Sequence, residues 1–177
     1  MHRTVNATPV LLKITVMKKI SFIVACLCLA VVSQAQLKSK TECPPFEVDI
    51  LDGRINGYKA NTPTAQIKNK WPCFSSVDGD TAKCGEVVYY KDKGITFYTT
   101  RDYIEIVEGF KGKLSIPLLG AGRGAMFKHL GNPKVKDDDW EGYQTSYGCL
   151  VLYYNKANKV RKIQMSTQNT STISLCD

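Results

Sequence analysis

The chain has 177 residues, 44% of them hydrophobic and 10% aromatic, enough apolar side chain for a packed core and too much for a disordered chain. Gly and Pro, at 13 and 7 residues, exclude a collagen-like repeat. The formal charge is +8, from 24 Lys+Arg against 16 Asp+Glu, with only 2 His.

Residues 1–35 contain no Asp or Glu. Met17-Lys18-Lys19 precedes an apolar run from Ile20 to Val32. That run, about 13 residues long, suits the core of a secretory signal peptide and is too short to span a bilayer. Ser33-Gln34-Ala35 supplies the small residues of a cleavage site. Residues 1–35 therefore read as a signal peptide cut before Gln36, with Met17 as the natural start and residues 1–16 as an upstream over-read or a longer n-region. Ile23-Val24-Ala25-Cys26 resembles a lipobox, which would put a lipid anchor on Cys26. The apolar run continues past Cys26, where a lipoprotein needs a polar tether, so a soluble periplasmic or secreted product is preferred. Losing Arg3, Lys13, Lys18 and Lys19 with the leader lowers the +8 by four, to +4. No dense Lys/Arg patch remains, which removes the argument for nucleic-acid binding, and no membrane span is expected.

Cleavage leaves Cys43, Cys73, Cys84, Cys149 and Cys176. An odd set in an oxidising compartment predicts disulfide bonds among four and one thiol left over. Cys73 and Cys84 flank one polar loop and are the first expected pair, Cys43 and Cys176 would tie the termini, and Cys149 sits in an apolar strand pattern as a buried thiol. Connectivity cannot be deduced from sequence, and reduced buried thiols throughout are the alternative.

Along the rest of the chain one pattern occurs twice. A strand at Phe46–Leu51 precedes a short helix, with Thr62 as its cap, Pro63 at its first position and Ile67 and Trp71 on one face, ended by Pro72. Residues 86–107 then alternate as strands, with Gly94 and Thr100-Arg101-Asp102 at the turns. A second strand, Lys113–Leu118, precedes a helical stretch from Ala125 to Leu130 closed by Gly131-Asn132-Pro133. Residues 141–163 repeat the strand pattern around Gly148 and the polar turn from Asn155 to Asn158. The expected fold is α+β: two tandem helix-plus-antiparallel-sheet repeats, 36–110 and 111–177, with the helices packed on one sheet face.

The stretch Leu119-Gly120, then Phe127-Lys128-His129-Leu130-Gly131-Asn132-Pro133, Trp140, Tyr143 and Gly148 resembles the tandem repeats of the β-lactamase-inhibitor-protein-like fold. It is also similar to the small outer-membrane barrel-assembly lipoproteins. In both, Leu-Gly-x-Pro closes a short helix before a hairpin; the first half departs from this, with Trp71-Pro72 in its place. The resemblance implies protein binding through the exposed sheet face and its loops.

Candidate chemistry fails on composition. His129 is the one histidine after the leader, too few for a histidine zinc site, and no Gly-x-Ser-x-Gly elbow accompanies it. Gly120-Ala-Gly122-Arg-Gly124 meets neither the dinucleotide nor the P-loop spacing. Asp78-Gly-Asp80 with Glu86 lacks the remaining calcium-loop positions, and Asp137-Asp138-Asp139 reads as a solvated loop. No metal, cofactor or catalytic residue is assigned, and the chain is not expected to be an enzyme. The tyrosines concentrate on the strands, so an aromatic sheet face is expected around Tyr90, Tyr98, Tyr143 and Tyr154, with Trp140 beside it. The expected function is binding another protein, as an inhibitor or immunity protein of a secreted enzyme or toxin. The alternatives are a structural accessory of cell-envelope assembly and a small carboxylate-dependent hydrolase.

Overall fold

Alternating β-branched and aromatic residues dominate this chain, and strands follow from them. The computed structural model describes residues 42–79 and 83–176; the leader read over 1–35, Cys26 and Asp80 lie outside the described residues. In chain order come β1 (Glu47–Asp49), β2 (Arg54–Ile55), β3 (Tyr58–Lys59), α1 (Thr64–Lys70), β4 (Ser76–Asp78), β5 (Val87–Tyr90), a 3₁₀ turn (Lys91–Lys93), β6 (Ile95–Tyr98) and β7 (Tyr103–Val107). Then follow β8 (Lys113–Leu114), α2 (Phe127–Leu130), β9 (Val135–Lys136), β10 (Trp140–Gln144), β11 (Cys149–Tyr154) and β12 (Val160–Ser166).

These elements make two sheets. Eight strands run β4-β5-β6-β7-β12-β11-β10-β9, and every neighbouring pair is antiparallel. Four more run β3-β2-β1-β8, with β1 and β8 parallel. The architecture is therefore mostly β, and the expected α+β repeat with helices covering a sheet face is overturned. The helices have seven and four residues. Pro63 precedes α1 in extended backbone, at ψ 141°, rather than starting it, and Trp71 leaves the helix at ψ 81° before Pro72. Gly131 ends α2 after four residues. Helices this short cannot cover eight strands. A small sheet does part of that work, because the strands expected to head separate repeats pair with each other: Glu47 opposite Lys113 and Val48 opposite Leu114.

The core lies on the inward face of the large sheet. Phe46, Val48, Ile50 and Ile55 of the small sheet region, Ile67 of α1 and Trp71 pack there with Val88, Ile95, Phe97, Ile104, Ile106, Leu150, Leu152, Ile163 and Met165. Its centre is aromatic: Phe46 and Phe97 lie 5.0 and 5.6 Å from Trp71 between ring centroids, and Phe46 lies 5.2 Å from Tyr90.

Two disulfides join Cys43 to Cys73 and Cys84 to Cys176, and Cys149 is buried and unpaired. The expected Cys73–Cys84 and Cys43–Cys176 pairs are both corrected. The loop between Cys73 and Cys84 contains β4, which pairs along β5 from Ser76 opposite Tyr89 to Asp78 opposite Val87. That places Cys73 before one end of the hairpin and Cys84 beyond the other. Disulfides of this kind belong to an oxidising environment outside the cytosol.

Gly148, at the β10–β11 hairpin, has φ +145°, and a Cβ there would strike the Ser166 carbonyl and the Thr167 backbone. Gly57 also has positive φ, +87°, with nothing within 4 Å of an added Cβ. Gly148→Ala is expected to cost about 3 kcal/mol, backbone strain plus collision, against about 1 kcal/mol for Gly57→Ala. Urea denaturation of both variants checks the difference, and equal losses would contradict it.

Candidate functional site

Strand alternation gives the large sheet an inward and an outward face. The strand registers align outward side chains in three rows. One runs Val87, Tyr98, Tyr103, Ser166, Cys149, Gln144. The second runs Tyr89, Thr96, Glu105, Gln164, Val151, Gly142, Val135. The third runs Val107, Lys162, Tyr153, Trp140.

The middle of this face is polar and its flanks are aromatic. Glu105 accepts a hydrogen bond from Gln164 Nε2 at 2.8 Å and pairs with Lys162 Nζ at 3.3 Å. The same ammonium sits 4.1 Å from the Tyr153 ring centroid, a cation–π contact. Tyr153 neighbours Trp140 on one side. Across the face, Tyr98 stacks on Tyr103 at 4.3 Å and 15°, and Lys91 Nζ lies 5.5 Å over the Tyr89 ring. Trp140, Tyr153, Tyr89 and Tyr98 are all half-buried.

After β12 the chain turns back over this face. Thr170 donates through its N–H and its hydroxyl to Gln144 Oε1, both at 3.1 Å, and the Cys176 N–H donates to the Tyr103 hydroxyl at 3.1 Å. Thr170, Ile173 and Leu175 on one side, and Val135, Trp140, Gly142, Val151 and Tyr153 on the other, enclose a groove of about 380 Å³. That volume suits an inserted side chain or a small apolar group.

Of the five aromatics expected on the binding face, Tyr98 and Trp140 point outward. Tyr90, Tyr143 and Tyr154 do not: they are 0%, 1% and 3% exposed and lie in the core. The reason is register. Tyr90 stands opposite Ile95, and Tyr143 and Tyr154 alternate in phase with Leu150 and Leu152. Their chain neighbours Tyr89 and Tyr153 take the outward positions. Each inward tyrosine has a structural partner. The Tyr90 hydroxyl donates to the Trp71 carbonyl at 2.8 Å. Tyr143 and Tyr154 donate to Glu141 Oε2 at 2.8 and 2.6 Å. Arg123 completes this buried cluster: Nη1 lies 3.5 Å from Glu141 Oε1, and the guanidinium lies 4.4 Å from the Tyr154 ring centroid.

The remaining Arg123 donors bond to Asn158 Oδ1 at 3.2 Å, to the Asp137 carbonyl at 3.3 Å and to the Asp138 carbonyl. Arg123 thus ties the glycine-rich 120–124 segment to the acidic 137–139 run and the 155–158 turn, and its hydrogen bonds are spent on the chain itself. His129 is exposed on α2. Glu86 accepts from Thr64 Oγ1 at 2.6 Å. A shallow depression of about 570 Å³ on the small sheet is lined by Glu47, Asp49, Arg54, Asn56, Lys113 and Ser115 among others. Asp49 there caps the Leu51 and Asp52 amides, and Asn56 bonds Glu47 N–H and the Pro45 carbonyl. Among the described residues no group of three or more His, Cys, Asp or Glu could hold a metal ion, and no helix is long and apolar enough to cross a membrane. Glu105, Tyr153, Lys162 and the tail residues Ile173 and Leu175 were not among the expected site residues. For Tyr153 the signal was the phase of Leu150 and Leu152.

Compared with family profiles, with curated proteins and with solved structures, the chain matches none.

Burial pushes the Tyr98 hydroxyl up to about 12, and it drives Tyr90, Tyr103, Tyr143, Tyr147 and Tyr154 further the same way. These groups hold their protons more tightly folded than unfolded, where tyrosine ionises near 10.0. Their contribution to stability is full below that value and falls as pH rises through it toward the folded values. Urea midpoints are expected to be level to about pH 9 and to drop steeply by about pH 11. A flat profile across that window would refute this.

Proposed function

We propose that this protein is exported to the periplasm or beyond and binds another protein, without catalysis, through the outward face of its large sheet. An inhibitor or immunity protein for a secreted enzyme or toxin is the specific form. The observation that carries the reading is the set of half-buried aromatics, Trp140, Tyr153, Tyr89 and Tyr98, gathered on one side of a continuous sheet beside a small groove. Tyrosine and tryptophan give large, rigid, amphipathic contact area at little entropic cost, and they dominate binding hot spots. The Glu105–Lys162 pair at the centre adds charge for orientation. The two disulfides fit a binder that works in an oxidising compartment.

The test starts with tagged residues 36–177, used to capture partners from envelope and culture fractions. Kd for the captured protein is then measured with variants. Trp140→Ala and Tyr153→Ala are each expected to weaken binding about 30-fold, with circular dichroism unchanged. Phe127→Ala, an exposed aromatic on α2 that belongs to none of the outward strand rows, is expected to leave Kd unchanged. Unaltered Kd in both face variants would end the proposal, and a captured set of envelope-assembly components would favour the accessory role instead.

A further inference from the structure

Residues 167–176 form no strand, and most are half-exposed or exposed. They are held to the outward face by scattered side-chain contacts and by one covalent bond at their end, Cys84–Cys176. Arg101 gives a second link: its guanidinium donates to Ser174 Oγ at 3.2 Å and to the Lys83 carbonyl, beside Cys84, at 2.9 Å. The two disulfides sit differently. All four cysteines are half-exposed, but Cys43 and Cys73 pack against the hydrophobic core, whereas Cys84 and Cys176 take no part in it.

Cys149 is 0% exposed although it lies on the outward face, between Gln144 and Ser166 in the first row. The tail's anchors stand on both sides of it, Thr170 on Gln144 and Cys176 on Tyr103. The small sheet packs on the other side, where Val48, Ile50 and Ile55 join the core.

We propose that residues 167–176 are a strap clasped by Cys84–Cys176, and that a dithiol reductant, of the class of thiol–disulfide oxidoreductases, releases it, opening the groove beside Trp140 and uncovering Cys149. One thiolate of the reductant attacks a sulfur of the pair, forming a mixed disulfide and expelling the other cysteine as a thiolate that takes up a proton. The second reductant thiol closes on the mixed disulfide. Cys84 and Cys176 end as thiols, the reductant ends as a disulfide, and two electrons and two protons have passed. Burial pushes the Cys149 thiol up to about 11, so beneath the strap it stays protonated and inert. The proposal concerns the face that we read as the binding face, but its test uses no partner, so either can fail alone.

The experiment compares the full chain with the double variant Cys84→Ser/Cys176→Ser. Alkylation of Cys149 by iodoacetamide is followed by peptide mass spectrometry, with hydrogen exchange measured in parallel. Cys149 is expected to react about tenfold faster in the variant, with faster exchange confined to residues 167–176 and protection kept in β11 and β12. Cys43→Ser/Cys73→Ser is expected to leave Cys149 at the rate of the parent. Unchanged Cys149 reactivity, or acceleration accompanied by loss of protection throughout β11 and β12, overturns the proposal. If the double variant does not fold, the parent is reduced to a limited extent with dithiothreitol, and the fraction open at Cys84–Cys176 alone is read by the same criteria.

Discussion

The pairing of β7 with β12 is the constraint on which the rest of the molecule depends. It joins residues far apart in the chain, Lys162 opposite Val107 through Ser166 opposite Tyr103. On one side of it stand β4 to β7, on the other β9 to β12. The ladder puts Ile104 against Met165 and Ile106 against Ile163 inside, and Glu105 against Gln164 outside. A slip of β12 by one residue would carry Gln164 into the core and Ile163 and Met165 out of it. Continuous rows on both faces therefore follow from this one register, and so does the delay of closing so long a loop before the sheet is whole.

The two faces divide the tyrosines by the company they keep. Tyr90, Tyr143 and Tyr154, inside, are satisfied by the chain, through the Trp71 carbonyl and the Glu141 carboxylate. A carboxylate 7% exposed on an inward face is tolerated because two hydroxyls and Arg123 surround it. The cluster also shapes the opposite side. Arg123 holds the Asp137 and Asp138 carbonyls, and the Asp139 carbonyl accepts from Tyr154 N–H at 2.7 Å. The loop that delivers Trp140 to the outward face is thus positioned from behind, by Arg123 and the Tyr154 backbone.

Strands were readable wherever β-branched and aromatic residues alternated: 86–107 and 141–163 supply β5 to β7 and β10 to most of β12. The two helices were legible as short elements, but with seven and four residues, about two turns and one, they cannot cover the sheet face expected of them. The β1–β8 pair was hidden because it joins two short segments far apart in the chain, and local patterns do not encode distant partners. Tyr90, Tyr143 and Tyr154 were assigned to the wrong side although the phase was present: Leu150 and Leu152 mark the core side of β11, and Tyr154 shares it. Disulfide pairing was beyond reach, since three strand residues of β4 decide which ends of the hairpin the cysteines occupy.

Among the described residues neither sheet closes into a barrel, so the large one has two ends, and both are poor templates for growth. β9 offers two residues and β4 three. Lys136 on one and Asp78 on the other would have to give up water for a neighbouring molecule to extend the ladder. The two ends also differ in sequence, so a contact between them would be head-to-tail rather than self-complementary. Such a contact would have few hydrogen bonds to hold it, so the large sheet is poorly suited to extend from copy to copy into fibres.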